Sequence, residues 1–246
     1  MSPEELRRRG REQLEPYGTI DFREATVTEI RKLPQGGFVV AAEKQPPVQT
    51  RFVLLALGMI DVALDIPGYE TFWGTSVFHC PHCHAWELRD QPLGVLARHP
   101  DLLAMGPRLL SWSRDITVFV GPQVKVPAEF AAKAEALGLR IETRRVQSLR
   151  GSRETGMLSA VELQGGTRIR CAGLFYRPEQ RQCELVRALG LKLTAGGFVE
   201  VDESKQTSIP GIYAAGDLTT DYQQIAEAVV QGHRAAFSIE LALKDA

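Results

Sequence analysis

Two cysteines three positions apart, Cys80 and Cys83, sit in the segment VFHCPHCHAWE (residues 77–87), and three of the chain's five histidines, His79, His82 and His84, fall in the same six-residue window. A C-x-x-C pair can close and reopen a disulfide, and this spacing commonly lowers a thiol's pKa so that the reactive thiolate forms. Pro81 between the cysteines stiffens the short loop. An imidazole next to a thiol can take up and return the proton that dithiol–disulfide exchange moves. Exchange chemistry is therefore what this cluster suits best. Two other readings compete with it: a zinc site, since Cys and His are zinc ligands, and a pair of inert buried thiols. No second C-x-x-C and no H-x-x-x-H elsewhere could complete a tetrahedral set, so no metal ligand is assigned.

The second segment of interest is TSIPGIYAAGD (residues 207–217), a short apolar run that breaks at Gly216-Asp217. In open α/β sheets ligands bind beyond the carboxyl ends of strands. Gly216 lets a ligand approach the backbone, and Asp217 can accept hydrogen bonds from sugar or ribitol hydroxyls. A strand-to-helix turn also uses Gly and Asp simply to cap the helix, so the residues alone leave both readings open.

The elements that must position these groups follow from periodicity. Residues 3–17 have helical composition; residues 26–32 and 37–43 alternate like antiparallel strands about a Pro-Gln-Gly-Gly turn. Residues 51–57 (RFVLLAL) form an apolar run expected as a strand buried on both faces. After the cysteines, strand-like 93–96, a helix over 102–112, strand-like 116–120, a helix over 127–137 and strand-like 139–143 alternate. Residues 146–164 have hairpin character and 168–176 read as one strand. Residues 212–215 form a short strand, and 224–243 a long helix without proline. Alternating strands and helices predict a doubly wound α/β architecture.

Composition narrows the function. Acidic and basic residues nearly cancel, for a net charge of −1, which gives no field to attract nucleic acid or anionic lipid. No apolar run approaches the ~18 residues needed to span a bilayer. The start, MSPEELRRRGREQLEPYG, carries no apolar signal region. With only four cysteines, Cys171 and Cys183 being the others, the chain is not a disulfide-stapled secreted fold, and a cytoplasmic location is expected. Trp73, Trp86 and Trp112 read as core or interface aromatics, and Cys171 and Cys183 as ordinary thiols.

With these residues in view, the chain resembles the low-molecular-weight thioredoxin reductase family. TSIPGIYAAGD followed by YQQIAEAVVQGHRAA is similar to the family's second flavin-binding motif, FVLLALGM to its ATG strand ending at Leu57-Gly58, and CPHCHAWE to its active-site C-x-x-C. The resemblance implies two Rossmann-like, doubly wound α/β domains. Residues 1–64 and 173–246 correspond to a discontinuous FAD-binding-like domain, and residues 65–172 to an NAD(P)-binding-like domain carrying the cysteines. It also implies that FAD is the cofactor, held by Gly58, Gly216 and Asp217, with Gln224 and Ile225 at the isoalloxazine ring. Cys83 then lies nearer the flavin, Cys80 meets the substrate sulfur, and His84 is the acid–base group. The family usually has Asp after the second cysteine; His84 is shared with a CPxCH sub-branch that includes fungal dithiol oxidases.

The departures are as informative. No G-x-G-x-x-G precedes these motifs, so the first domain is expected to be N-terminally truncated. About sixty residues are expected to be missing, one βαβ unit of ~30 residues plus a connection. FAD binding is then compromised, unless a partner subunit supplies the unit or a homodimer compensates. The internal nucleotide turn reads VLARHPDLL, with Ala97, His99 and Leu102 at the three glycine positions and Pro100 removing a donor. FVGPQVK replaces the basic cluster that grips the NADPH 2′-phosphate, leaving only Lys125 nearby. NADPH is therefore not expected to drive the protein. The expected function is interconversion of a small-molecule or protein dithiol and its disulfide through Cys80 and Cys83. A non-catalytic remnant, or one subunit of a split protein, is the alternative.

Overall fold

The computed structural model describes residues 2–244. The chain divides into two compact units, Met1–Met59 with Gln182–Ala246, and Ile60–Arg181.

The Ile60–Arg181 unit is built on a five-stranded sheet in the order Val77–Phe78, Gly173–Phe175, Leu93–Ala97, Ile116–Val120, Arg140–Glu142, parallel throughout. Leu93–Ala97 and Ile116–Val120 bury every residue, which is why they read as unbroken apolar runs instead of alternations. Their side chains serve two cores. Val95, Val118 and Val120 pack with Leu103, Leu109 and Ala134, while Leu96 and Phe119 pack with Leu149, Val161 and Leu163. The chain leaves Leu93–Ala97 for Ile116–Val120 on one side and returns as Gly173–Phe175 on the other, so the sheet has a topological switch point at its centre.

Gly94 makes that centre possible. A Cβ there would lie 2.8 Å from Phe119 Cε2, 2.9 Å from Leu174 Cδ1 and 3.0 Å from Cys171 Sγ. Gly94→Val is expected to destabilise this unit by about 1–3 kcal/mol through overpacking. The check is a lower urea midpoint at unchanged m-value.

In this unit two expected elements differ. The helix over 102–112 is instead a 3₁₀ turn, Pro100–Ala104, followed by the single helical turn Met105–Leu109. Proline begins the first piece, and Gly106 and Pro107 interrupt regular α-helical bonding in the second. The strand over 168–176 is two strands. Arg168–Arg170 closes the antiparallel sheet of Val146–Ser152 and Met157–Leu163, and Gly173–Phe175 joins the parallel one. Between them Cys171 N–H donates to the Ser159 carbonyl (3.0 Å) and Ala172 N–H to the Pro92 carbonyl (2.7 Å), so the backbone changes sheets within two residues.

The other unit holds an antiparallel sheet, Val27–Lys32, Phe38–Ala42 and Val48–Thr50. It also holds a parallel pair, Val53–Leu55 with Ile212–Ala214. Phe38, Leu55, Val186, Val199, Ile212 and Leu218 form its core. The run 51–57 is not a strand buried on both faces: only Val53–Leu55 is extended, its one described sheet neighbour is Ile212–Ala214, and Leu54 and Leu57 remain 38% and 49% exposed. The helix Pro3–Leu14 is capped by Ser2 Oγ, which accepts from Glu5 N–H, with Pro3 in its first turn. The long helix Ile225–Lys244 buries Gln231 and Ala235 and leaves Ile225, Val229, Phe237 and Leu241 at the surface. No helix among the described residues is long and apolar enough to cross a membrane.

Candidate active site

The short strand Val77–Phe78 is fully buried and hydrogen-bonded in register to Gly173–Phe175. It delivers His79 and Cys80 to its carboxyl end. Cys80 keeps an extended backbone (φ −119°, ψ 110°) and caps the one-turn helix Pro81–His84, with proline at its start where the missing N–H costs nothing. Cys83 N–H donates to the Cys80 carbonyl at 3.3 Å and Ala85 N–H to the Pro81 carbonyl at 2.8 Å. Ala85 and Leu88 are buried in the core, anchoring the turn. This geometry brings the two cysteine Cα atoms to 5.4 Å, and the sulfurs are bonded as a disulfide. Cys83 is exposed and Cys80 half-buried.

Each of the three histidines meets a different aromatic. The His84 ring lies against Phe78, centroids 4.2 Å apart and planes within 11°. His82 meets Trp112 edge-on at 5.4 Å, and His79 tilts over Trp73 at 6.3 Å. Burial pushes the His84 pKa down; Glu87 pulls it up and His79 pushes it down further. The imidazole is therefore held neutral at physiological pH, the form that can accept a proton. Trp86, expected in the core or an interface, is not a core residue: it is 63% exposed, with the Arg89 guanidinium 4.6 Å above its ring. Cys171 is a buried thiol pushed up to about 12 by desolvation, far from reactive. Among the described residues no group of three or more His, Cys, Asp or Glu side chains converges as a metal site.

A crevice of about 300 Å³ lies beyond the carboxyl ends of Leu93–Ala97 and Ile116–Val120, lined by Asp65, Leu96, Arg98, Val120, Gln123 and Arg145 among others. Open α/β sheets bind ligands beyond the carboxyl ends of strands; this crevice lies on the Ile116–Val120 side of Leu93–Ala97, next to the switch point between Leu93–Ala97 and Gly173–Phe175. The helical segment that follows Leu93–Ala97 starts with its own acid in place, Asp101 Oδ2 lying 3.1 Å from His99 Nδ1.

In the other unit, the parallel pair Val53–Leu55 and Ile212–Ala214 sends Gly58 and the Gly216-Asp217 turn beyond the same, carboxyl, end. Gly216 adopts φ 85°, ψ −156°, a conformation open essentially to glycine alone. Gly58 also has positive φ (65°), with open space around it. Asp217, half-buried, begins the 3₁₀ turn Asp217–Thr219. The Gln224 carbonyl accepts from Ala228 N–H (2.9 Å) at the start of the long helix, and Gln224 and Ile225 are exposed there.

A residue the sequence reading passed over ties this turn together. Gln231 is 3% exposed. Its Oε1 accepts from Gly216 N–H (3.0 Å) and lies 2.6 Å from the Thr219 hydroxyl, and its Nε2 donates to Glu227 Oε1 (2.8 Å). The available signal was a glutamine four residues after a glutamate on the inward side of an apolar helix.

Residues 119–232 match the pyridine nucleotide-disulphide oxidoreductase family. The chain is 30% identical to thioredoxin reductase sirT of Leptosphaeria maculans over 229 residues, covering 87% of this chain and 70% of that one. It is 28% identical to thioredoxin reductase tcpT of Claviceps purpurea, covering 94% and 75%. Among solved structures, an oxidoreductase from Agrobacterium tumefaciens superposes with a TM-score of 0.87 at 32% identity, covering 98% of this chain and 81% of that one. The chain belongs to the thioredoxin reductase-like family of FAD-dependent disulfide oxidoreductases.

Proposed function

We propose that the protein interconverts a dithiol and its disulfide through Cys80 and Cys83, with His84 as acid–base group, and that it works as a dithiol oxidase not driven by NADPH. The observation that carries the reading is the Cys80–Cys83 disulfide at a proline-started helical turn, followed directly by a neutral, stacked imidazole. In the oxidising half-reaction His84 takes the proton from a substrate thiol, and the thiolate attacks Cys80 Sγ. The Cys80–Cys83 bond breaks and Cys83 leaves as thiolate. The second substrate thiol then displaces Cys80, so the substrate leaves as a disulfide and its two electrons stay on the cysteine pair.

The residues of the other unit fit a flavin. Asp217 offers a carboxylate for ribitol hydroxyls at a strand end, and Gly216 and Gly58 leave the backbone approachable. Gln224 and Ile225 present exposed backbone at the start of a twenty-residue helix. Bound FAD would supply a two-electron acceptor for the cysteine pair, passing electrons to dioxygen or another oxidant. In this reading the two units are an FAD-binding-like and an NAD(P)-binding-like domain. Independence from NADPH is supported by Ala97, His99 and Leu102 at the nucleotide turn and by Asp101, whose charge opposes a pyrophosphate at that helix start. We place the protein in the cytoplasm, consistent with its sparse cysteines.

A second reading, a remnant or partner-dependent subunit without flavin of its own, draws support from one feature. Val53–Leu55 has a single described sheet neighbour, and Leu54, Val229 and Phe237 are exposed, surface that a second copy or a partner subunit would cover. The absorption spectrum between about 350 and 500 nm, with and without added FAD, decides between the two. Flavin bands that a dithiol bleaches and NADPH does not are the expected result. Protein that stays colourless with FAD present sinks the oxidase reading for this chain alone.

The pH dependence follows from His84. Its pKa lies below the ordinary ~6.5, so the neutral base persists into more acidic solution than a free imidazole allows. The cysteine half-reaction, followed by stopped flow, is expected to lose rate only as pH falls below that value. His84→Asn is expected to slow it about 10²-fold at pH 7.

A further inference from the structure

Phe78 has no chemistry of its own, yet its placement is specific. Phe78 is 8% exposed, and the strand Val77–Phe78 is pinned to Gly173–Phe175 in register, with the Phe175 ring tilted against its own at a centroid distance of 6.0 Å. Tyr176 N–H donates to the Phe78 carbonyl at 2.8 Å, fixing the backbone from which the ring projects. The His84 ring stacks on it, parallel and in van der Waals contact. The two side chains come from opposite sides of the Cys80–Cys83 loop, so the stack spans the disulfide's own backbone.

We propose that Phe78 is a positioning residue for dithiol–disulfide exchange, its ring forming the flat seat that fixes the plane of the His84 imidazole next to Cys83. This rests on the redox reading above. A histidine on a surface turn ordinarily samples several rotamers; a parallel seat leaves one ring plane. The gain is orientation, and misplacing an acid–base group by ~1 Å can cost about 10²-fold in rate.

The seat also acts on charge. Two effects oppose each other: an aromatic face attracts an imidazolium, while contact with a buried ring removes water from it. Burial is the largest influence on His84 and it favours the neutral form, against Glu87 from the turn that follows and together with His79 from the strand side.

The test uses the whole chain. The His84 ring protons are titrated by NMR, and oxidation of a small dithiol by the Cys80–Cys83 pair is timed by thiol counting. Both are done in wild type, Phe78→Leu and Phe78→Tyr. Phe78→Leu is expected to raise the His84 midpoint and to slow oxidation about tenfold at pH 6, with a smaller loss at pH 8. Phe78→Tyr is expected to restore both. Phe78→Met replaces the leucine variant if that one does not fold. An unchanged midpoint and pH profile in a folded ring-less variant overturns the assignment of Phe78. If the wild-type pair does not exchange at all while the His84 midpoint still moves, the redox reading falls and the contact between the rings is upheld.

Discussion

Cys83→Ser is expected to lower dithiol turnover by about 10³-fold or more, because the variant has nowhere to store two electrons. In the wild type the Cys80–Cys83 bond is the oxidant. With one sulfur gone, a substrate thiol finds no disulfide to attack; the remaining cysteine can only attack substrate already in its disulfide form, joining one sulfur as a mixed disulfide and releasing the other as a thiolate. The loss belongs to chemistry and not to folding. The loop closed by this bond is four residues long, and in the chain-entropy account so short a loop contributes only about 2 kcal/mol. Circular dichroism should therefore keep its native form and the urea midpoint should fall by only about 1 M, while turnover disappears. The paired variant assigns roles. If Cys80 attacks or releases the substrate sulfur, Cys83→Ser given the disulfide form of the substrate accumulates a mixed disulfide on Cys80, and Cys80→Ser does not accumulate one on Cys83, as read by mass spectrometry. Cys83 is the more exposed of the two residues within its unit, so the reverse pattern is a live outcome and would exchange the two roles. Cys171, with its thiol pushed up to about 12, should contribute nothing to either trap.

The second large effect lies at the other unit's turn. Gly216→Val is expected to abolish flavin binding and to destabilise the unit at once. Its φ of 85° and ψ of −156° cost a non-glycine residue about 1–3 kcal/mol, more for a β-branched one. Any relaxation away from that conformation pulls Gly216 N–H from Gln231 Oε1 and disturbs Thr219 with it. Asp217→Asn separates the two contributions. It keeps the backbone and the size but removes the charge, so flavin affinity is expected to fall about 10- to 100-fold, the worth of a charged hydrogen bond, with the thermal midpoint of the flavin-free protein close to wild type. Flavin retained at wild-type affinity in Asp217→Asn would remove Asp217 from the cofactor site. Gln231→Leu is the intermediate case: buried Gly216 N–H loses its acceptor, the half-buried Thr219 hydroxyl keeps only the Gly216 carbonyl, and the turn loosens at a cost of about 1–3 kcal/mol.

How much of this was legible in the sequence depended on whether the signal was local. The cysteine motif, the Gly-Asp turn and the two fully buried strands each announce themselves within ten residues, through spacing, breaker residues or an unbroken apolar run. Residues 168–176 misled because apolar character does not say which sheet a residue joins. The change of partners at Cys171 and Ala172 is decided by Ser159 and Pro92, distant in the chain. The helix over 102–112 was overextended because its apolar period is sound while Gly106 and Pro107 forbid continuous α-helix. The run 51–57 looked doubly buried because burial needs neighbours, and the sequence of a strand does not report how many it has. At the site, Cys80, Cys83 and His84 were readable as residue types. Phe78 and Gln231 were not, since an aromatic in a strand and a glutamine in a helix take their meaning only from what lies against them.

The pairing of Val53–Leu55 with Ile212–Ala214 has a consequence for how the protein is made. One unit is interrupted by the whole of the other, Ile60–Arg181. On a ribosome the interrupted unit cannot close its parallel pair until nearly the entire chain has emerged, whereas the inserted unit has all its strands in hand well before that. Domains fold as units during synthesis, and pairings between distant segments are slow to form. The compartment holding the cysteines is thus completed first on the nascent chain, and the segments around Gly58 and Gly216 meet last. A pulse-labelled, ribosome-bound chain arrested once Arg181 has emerged from the ribosome should already protect the Leu93–Ala97 and Ile116–Val120 strands from proteolysis, while Val53–Leu55 stays open to it.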